Sequence, residues 1–239
     1  LGAPGVVLPS SCNAALALAA YAARAGLPAR VALPEAPPAT VGRRCRAYGA
    51  EGLTGGATLV DSARSLAATP SGYWNLSTLK EPYRVEGKKT MGLEIAEQLG
   101  WELPDWLLSP TGGGTGIVGM YKVFTELAQL GLVGERQPRF VAVQVAGCAP
   151  IVRAWEAGHR EAEPWERPES CVWGLRVPAA IGDFLVLEAV TESGGCALSV
   201  DESEIEQTCF ELSSREGLVA GPEGGAALLA LRRLEREGA

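Results

Sequence analysis

Basic charge, histidine and long apolar runs are all scarce in this chain. Lys and Arg number 21 against 28 Asp and Glu, for a net charge of −7. A nucleic-acid binder needs clustered Lys and Arg to neutralise phosphates, so this balance argues against one. The six cysteines (Cys12, Cys45, Cys148, Cys171, Cys196 and Cys209) include no CxxC pair. That spacing fits neither a zinc ribbon nor a dense disulfide framework, and the thiols are expected to be reduced and mostly buried. The one histidine, His159, sits among Gly158, Arg160 and Glu161, a surface-loop neighbourhood. It is a poor base for a Cys12 nucleophile, and Cys12 is read as a packed thiol. No apolar run reaches the roughly 18–20 residues of a membrane helix. No stretch reads as a secretory leader, and the expectation is a cytoplasmic protein with no membrane partner.

What is present suffices for a sizeable core. A chain of 239 residues, 47% of them hydrophobic, accommodates one large or two small domains. The charge is uneven. Residues 1–75 hold six arginines and three acids (Glu35, Glu51, Asp61), whereas the remainder carries 25 acids against 15 bases. Acid runs such as Asp201-Glu202-Ser203-Glu204 read as solvated surface.

Short apolar strands alternate with helical stretches, the pattern of an α/β protein with a mainly parallel sheet. Strands are predicted at 6–8, 30–33, 106–108, 140–145 and 218–220. Pro34, Pro37 and Pro38 are the stop signals of the second strand. Helices are predicted at 13–25, 40–48, 61–68, 89–99, 119–130, 149–157, 203–214 and 224–236, from apolar spacing such as Met91, Ile95 and Leu99 and from closing glycines such as Gly26 and Gly49.

Two segments share one design, strand–loop–helix. One loop is Ser10-Ser11-Cys12-Asn13. The other is Pro110-Thr111-Gly112-Gly113-Gly114-Thr115-Gly116. Glycine permits positive φ and leaves no side chain in the way, so backbone N–H groups can close around an anion ahead of a helix. Read alone, the glycine run fits a phosphate cradle or a plain turn. Asn13 fits a helix N-cap as well as a ligand contact. Ser10 and Ser11 fit a serine-rich turn as well as a carboxylate grip. In an open α/β sheet, loops at the carboxyl ends of strands line the ligand crevice.

Taken together, Val7-Leu8-Pro9-Ser10-Ser11-Cys12-Asn13-Ala14, the segment from Ser77 through Pro82-Tyr83-Arg84-Val85-Glu86-Gly87 to Thr90, Ser109 to Gly119, Gly174-Leu175-Arg176-Val177-Pro178, and Glu216 through Pro222-Glu223 to Gly224 resemble the fold-type II pyridoxal-phosphate enzymes. Within that group they resemble the threonine synthases and their close relatives, in order and over nearly the whole chain. The resemblance implies an α/β fold of two domains, with mainly parallel twisted sheets flanked by helices as in the β subunit of tryptophan synthase. It implies a small mobile domain at 5–80 and a large cofactor-phosphate-binding domain at 81–239. The implied cofactor is pyridoxal 5'-phosphate. Gly112, Gly113, Gly114, Thr115 and Gly116 would hold its phosphate, with the helix dipole assisting. Asn13 would meet its phenolic oxygen, and Glu223 its ring nitrogen, where a carboxylate favours a protonated ring. A first-turn helix acid is the alternative role for Glu223.

Ser10 and Ser11 would grip the substrate carboxylate, and Arg84 a substrate phosphate through paired hydrogen bonds. An ordinary salt bridge is the alternative for Arg84. The implied reaction is a lyase reaction on a phosphate ester, from O-phospho-L-homoserine and water to L-threonine and phosphate. A threonine or serine dehydratase, or an ammonia-lyase, is the alternative on the same scaffold. The implied partners are a small amino-acid substrate and a second copy in a homodimer.

The chain departs from the family pattern in three places. The lysine that binds the cofactor covalently lies upstream of the asparagine loop in the family. None of Lys80, Lys88, Lys89 and Lys122 matches it, and the first three are read as mostly solvated. The chain opens Leu1-Gly2-Ala3-Pro4 and enters a strand almost at once. The expectation is an N-terminally incomplete family member, part of whose sheet is missing so that apolar surface is exposed, or a catalytically inactive, binding-only relative. Cys12 stands where the family usually has glycine. Ala14 stands where a hydroxyl often helps bind substrate phosphate.

Overall fold

Val6, Val7 and Leu8 are all buried, so the first strand, Val6–Pro9 (β1), belongs inside a sheet rather than at its edge. The computed structural model describes residues 2–35, 39–57 and 59–238. In it, β1 runs parallel to Ala29–Leu33 (β2) on one side and to the two-residue strand β4 (Trp74–Asn75) on the other. Glu51–Thr54 (β3) adds parallel to β2, for the order β3-β2-β1-β4. The alanine-rich helix Asn13–Ala25 (α1) sets Ala15, Leu18, Ala19 and Ala22 against β1 and β2. Gly26 closes it at φ 66°. Ala39–Ala47 (α2) contributes Val41 and Cys45 to the same core. The helix predicted at 61–68 divides into Leu59–Arg64 (α3) and a 3-10 turn, Ser65–Ala68. Pro37 and Pro38 lie outside the described residues.

A second group of strands forms its own parallel sheet, Trp106–Pro110 (β5), Arg139–Val145 (β6) and Cys196–Val200 (β7), with β6 central. Side chains alternate across β6. Phe140 and Ala142 pack with Thr115–Gln129 (α5), Pro150–Glu156 (α6) and Asp183–Glu192 (α7). Val141, Val143 and Val145 pack on the other face with Ile205–Glu216 (α8) and Pro222–Glu237 (α9). Tyr83–Gln98 (α4) lies along α5, where Gly92 lets Val123 and Phe124 approach. The chain divides into two units, Leu1–Glu81 and Pro82–Ala239. No helix of the described residues is long and apolar enough to cross a membrane.

Several elements depart from the sequence reading. β3, β4, α7 and β7 carry too little periodic signal to be anticipated. α4 begins at Tyr83 rather than at 89, and α5 at Thr115 rather than at 119. Residues 218–220 are not a strand. Gly217 ends α8 in the left-handed conformation, Ser213 Oγ donates to the Leu218 carbonyl, and Val219 is 92% exposed. The segment therefore turns directly into α9. All six cysteines are free, but only Cys45 and Cys148 are buried, and Cys171 is exposed, donating to Glu202.

Candidate functional site

The glycine loop continues β5 and leads into α5. Thr111 still belongs to the ladder, its N–H donating to Val143 O at 2.8 Å, while its hydroxyl donates back to Ser109 O. Gly112 then passes against the loop that follows α6. A Cβ built on Gly112 would stand 2.2 Å from the Gly174 carbonyl oxygen and 3.0 Å from Val177. Gly114 takes φ +79°, and a Cβ there would meet Val186 of α7 at 2.3 Å. At both places a side chain is sterically shut out, and at Gly114 the positive φ requires glycine as well. Gly114 caps α5 without any side-chain hydrogen bond. No side chain caps the first N–H groups of the helix, whose first residue is Thr115, a donor set that suits a phosphate ester. Thr115 is buried, and Gly113 and Gly116 are half-buried. Cradle and donors both fit such a group.

Three segments singled out in the sequence meet at Gly174. Its carbonyl lies against Gly112. Its N–H donates to Glu223 Oε1 at 3.2 Å, from the first turn of α9. Glu223 is thus a loop clamp as well as a first-turn acid, with one oxygen committed to Gly174. Arg84, half-buried, lies in the first turn of α4. The next residue, Val85, presents its carbonyl 3.1 Å from a Cβ built on Gly119, one turn into α5. Arg84 therefore starts a helix that packs beside the one the glycine loop opens.

Lys89 departs from the solvated expectation. It bridges Glu86 at 2.8 Å and Glu126 at 2.5 Å, and its side chain is 18% exposed. Lys122 pairs with the same two acids. Hydrogen bonds from Lys122 and then Lys89 hold the Glu86 carboxyl below its ordinary range. These lysines tie α4 to α5. Lys80 and Lys88 are exposed, as expected.

Ser10, Ser11 and Asn13 belong to the first unit, at the carboxyl end of β1. Ser10 N–H extends the ladder to Ala32 O, and Ser10 Oγ accepts from Cys12 N–H at 3.2 Å. Both serines are buried. Asn13 is exposed and is the first residue of α1, so it is not the N-cap; Cys12 occupies that place, with φ −143° and no side-chain cap bond. That φ lies outside the left-handed region that calls for glycine. Beside this loop, at the end of β4, the Ser77 N–H and hydroxyl both donate to Asn75 Oδ1.

His159 is exposed. Burial pushes the Cys148 thiol up to about 11, so it stays protonated and inert. Gln144, a single polar residue in the apolar strand β6, is fully buried and hydrogen-bonds Thr111 at the head of the glycine loop. A lone buried-strand glutamine was the only signal available.

The chain is 35% identical over 242 residues to a threonine synthase of Methanosarcina acetivorans, covering 98% of this chain and 58% of that protein. It is 31% identical over 243 residues to a threonine synthase of Methanocaldococcus jannaschii, covering 100% and 59%. The chain thus spans less than two thirds of these relatives. Among solved structures it resembles a threonine deaminase from T.th., with TM-score 0.80, 26% identity, and 99% of this chain and 74% of that one covered. It also shares the fold of maize serine racemase, with TM-score 0.77, 22% identity and coverage of 94% and 65%. A family model described as pyridoxal-phosphate dependent enzyme matches residues 1–239. By that match the chain belongs to the pyridoxal-phosphate dependent enzymes, a family whose cofactor its glycine loop fits.

Proposed function

We propose that this chain carries the cofactor- and substrate-binding residues of a threonine synthase-like lyase. It would act on O-phospho-L-homoserine and water to give L-threonine and phosphate. The observation that carries the reading is the cradle at Gly112 and Gly114, shut to side chains and opening onto the uncapped start of α5. The identity to two threonine synthases supports the substrate class. When bound, pyridoxal phosphate supplies an electron sink for carbanions next to the amino-acid nitrogen.

The chain's own residues bind and orient. Gly112, Gly113, Gly114 and Gly116 present backbone N–H groups to the cofactor phosphate, and the Thr115 hydroxyl donates to it. Asn13, exposed at the start of α1, donates its amide to the phenolic oxygen. The Glu223 oxygen not committed to Gly174 is assigned to the ring nitrogen, where its charge keeps a proton. Ser10 and Ser11 hold the substrate carboxylate. Arg84 takes the substrate phosphate as a planar, permanently charged fork. The enzyme works as a cytoplasmic homodimer.

A second reading keeps the site and changes the reaction to dehydration or ammonia loss. The similarity to a threonine deaminase favours it. Turnover of O-phosphohomoserine, followed as phosphate release, against turnover of threonine or diaminopropionate separates the two. Cofactor binding is tested first, by titrating the chain with pyridoxal phosphate and following absorbance with and without borohydride. Gly113→Asp should abolish binding. Tight binding in that variant would overturn the assignment.

A further inference from the structure

We propose that Gln144 is a positioning residue that locks the glycine loop to the start of α6, so that two neighbouring strand-end loops hold one shape before any ligand arrives. The proposal deepens the cradle reading and rests on it. Gln144 is on β6, 0% exposed, on the strand face that carries Phe140 and Ala142. An amide so deep in an apolar sheet is tolerated only when its polar atoms are paired. Its Nε2 donates to Thr111 O at 3.1 Å, and its Oε1 accepts from Ile151 N–H at 2.9 Å and Val152 N–H at 3.2 Å.

The two ends do different work. The oxygen satisfies two N–H groups that a helix start leaves without partners, and Ala149, the N-cap of α6, makes no side-chain bond itself. The nitrogen holds the carbonyl one residue before Gly112. The other side of that stretch is fixed by the Thr111 N–H bond to Val143 and by Gly174 against Gly112. Gln144 therefore adds, from the side of α6, a restraint on where the loop's donors point. Glycine-rich backbone has the most freedom to lose, so such a restraint matters most there.

The test uses the full chain and two variants. Gln144→Glu, measured at a pH where the introduced carboxyl is ionised, keeps an acceptor for Ile151 and Val152 but loses the donor to Thr111; Gln144→Met removes both. In unliganded protein, amide hydrogen exchange over 111–120 should speed about ten-fold in Gln144→Glu, with 150–154 at the wild-type rate. Gln144→Met should speed both segments. Equal change in both segments, or in neither, for Gln144→Glu overturns the proposal. If Gln144→Glu does not fold, wild-type exchange over 111–120 in Gln144→Met overturns it, and faster exchange there supports it. Titration with pyridoxal phosphate should show affinity about ten-fold weaker in Gln144→Glu. Unchanged affinity there, beside weakened affinity in Thr115→Val, would overturn the positioning role and leave the cradle standing. Unchanged affinity in both would sink the cradle reading, and with it the ligand role claimed for Gln144.

Discussion

The two strand–loop–helix segments, β1 to α1 and β5 to α5, share one plan and reach it by opposite means. Each leaves the carboxyl end of a parallel strand, and each enters its helix without a side-chain cap. The first turn is built from side chains, Ser10 Oγ accepting from Cys12 N–H. The second is built from their exclusion, with Gly112 pressed on Gly174 and Gly114 on Val186. A loop held by hydroxyls weakens when a polar group is lost. A loop made of close approach fails when a single carbon is added.

Substitutions should expose that contrast, and the largest effect is expected from Gly112→Ala. Its new Cβ would lie 2.2 Å from the Gly174 carbonyl, and Gly174 is held from behind by Glu223, so the contact cannot relax cheaply. A loss of about 3 kcal/mol in urea unfolding is expected, the upper end for overpacking. A change under about 0.5 kcal/mol, the scale of an ordinary surface substitution, would mean the loop is not close-packed. Thr115→Val should weaken pyridoxal phosphate binding about ten-fold, the worth of one hydrogen bond, with little change in the unfolding midpoint. Ser10→Ala removes the acceptor for Cys12 N–H and should lower stability by about 1 kcal/mol in the same unfolding assay. Cys12→Gly at φ −143° should cost roughly 0.5–1 kcal/mol through added unfolded-chain freedom; a gain would show that cysteine strains the turn.

The smallest effect concerns the ion pairs of the second unit. Glu86 titrates below its ordinary 4.5, because Lys122 and Lys89 favour its charged form. Its contribution is therefore present above that ordinary value and lost as pH falls through the lowered one. Lys89 is raised from 10.5, by Glu126 first and Glu86 second, so its contribution is present below 10.5 and fades as pH climbs past the raised value. The melting temperatures of wild type and Glu86→Gln should differ at neutral pH and converge in acid. Parallel curves would show that the network contributes nothing measurable.

Much of this was legible in the residues. The run from Gly112 to Gly116 read as a cradle or a turn between a strand and a helix, and Phe140 to Val145 read as a strand. α7 was hidden because its buried residues, Val186, Leu187, Ala189 and Val190, leave no clean polar stripe to mark its period. β3 was hidden because Glu51-Gly52-Leu53-Thr54, with only Leu53 half-buried, offers one apolar residue and no alternation. Gln144 could be noticed as an oddity, but its partners at Thr111, Ile151 and Val152 are on separate elements.

Local chemistry by itself determined where several helices close, at Gly26 for instance, and where a run of glycine backbone joins a strand to a helix. Those properties depend on spacings of a few residues, which a linear chain records directly. Only tertiary structure decided that Gly112, Gly174 and Glu223 meet and that Lys89 is bridged to Glu126 rather than solvated. Each depends on contacts between residues far apart in the chain, whose geometry is set by sheet register and helix packing and is written in no single segment.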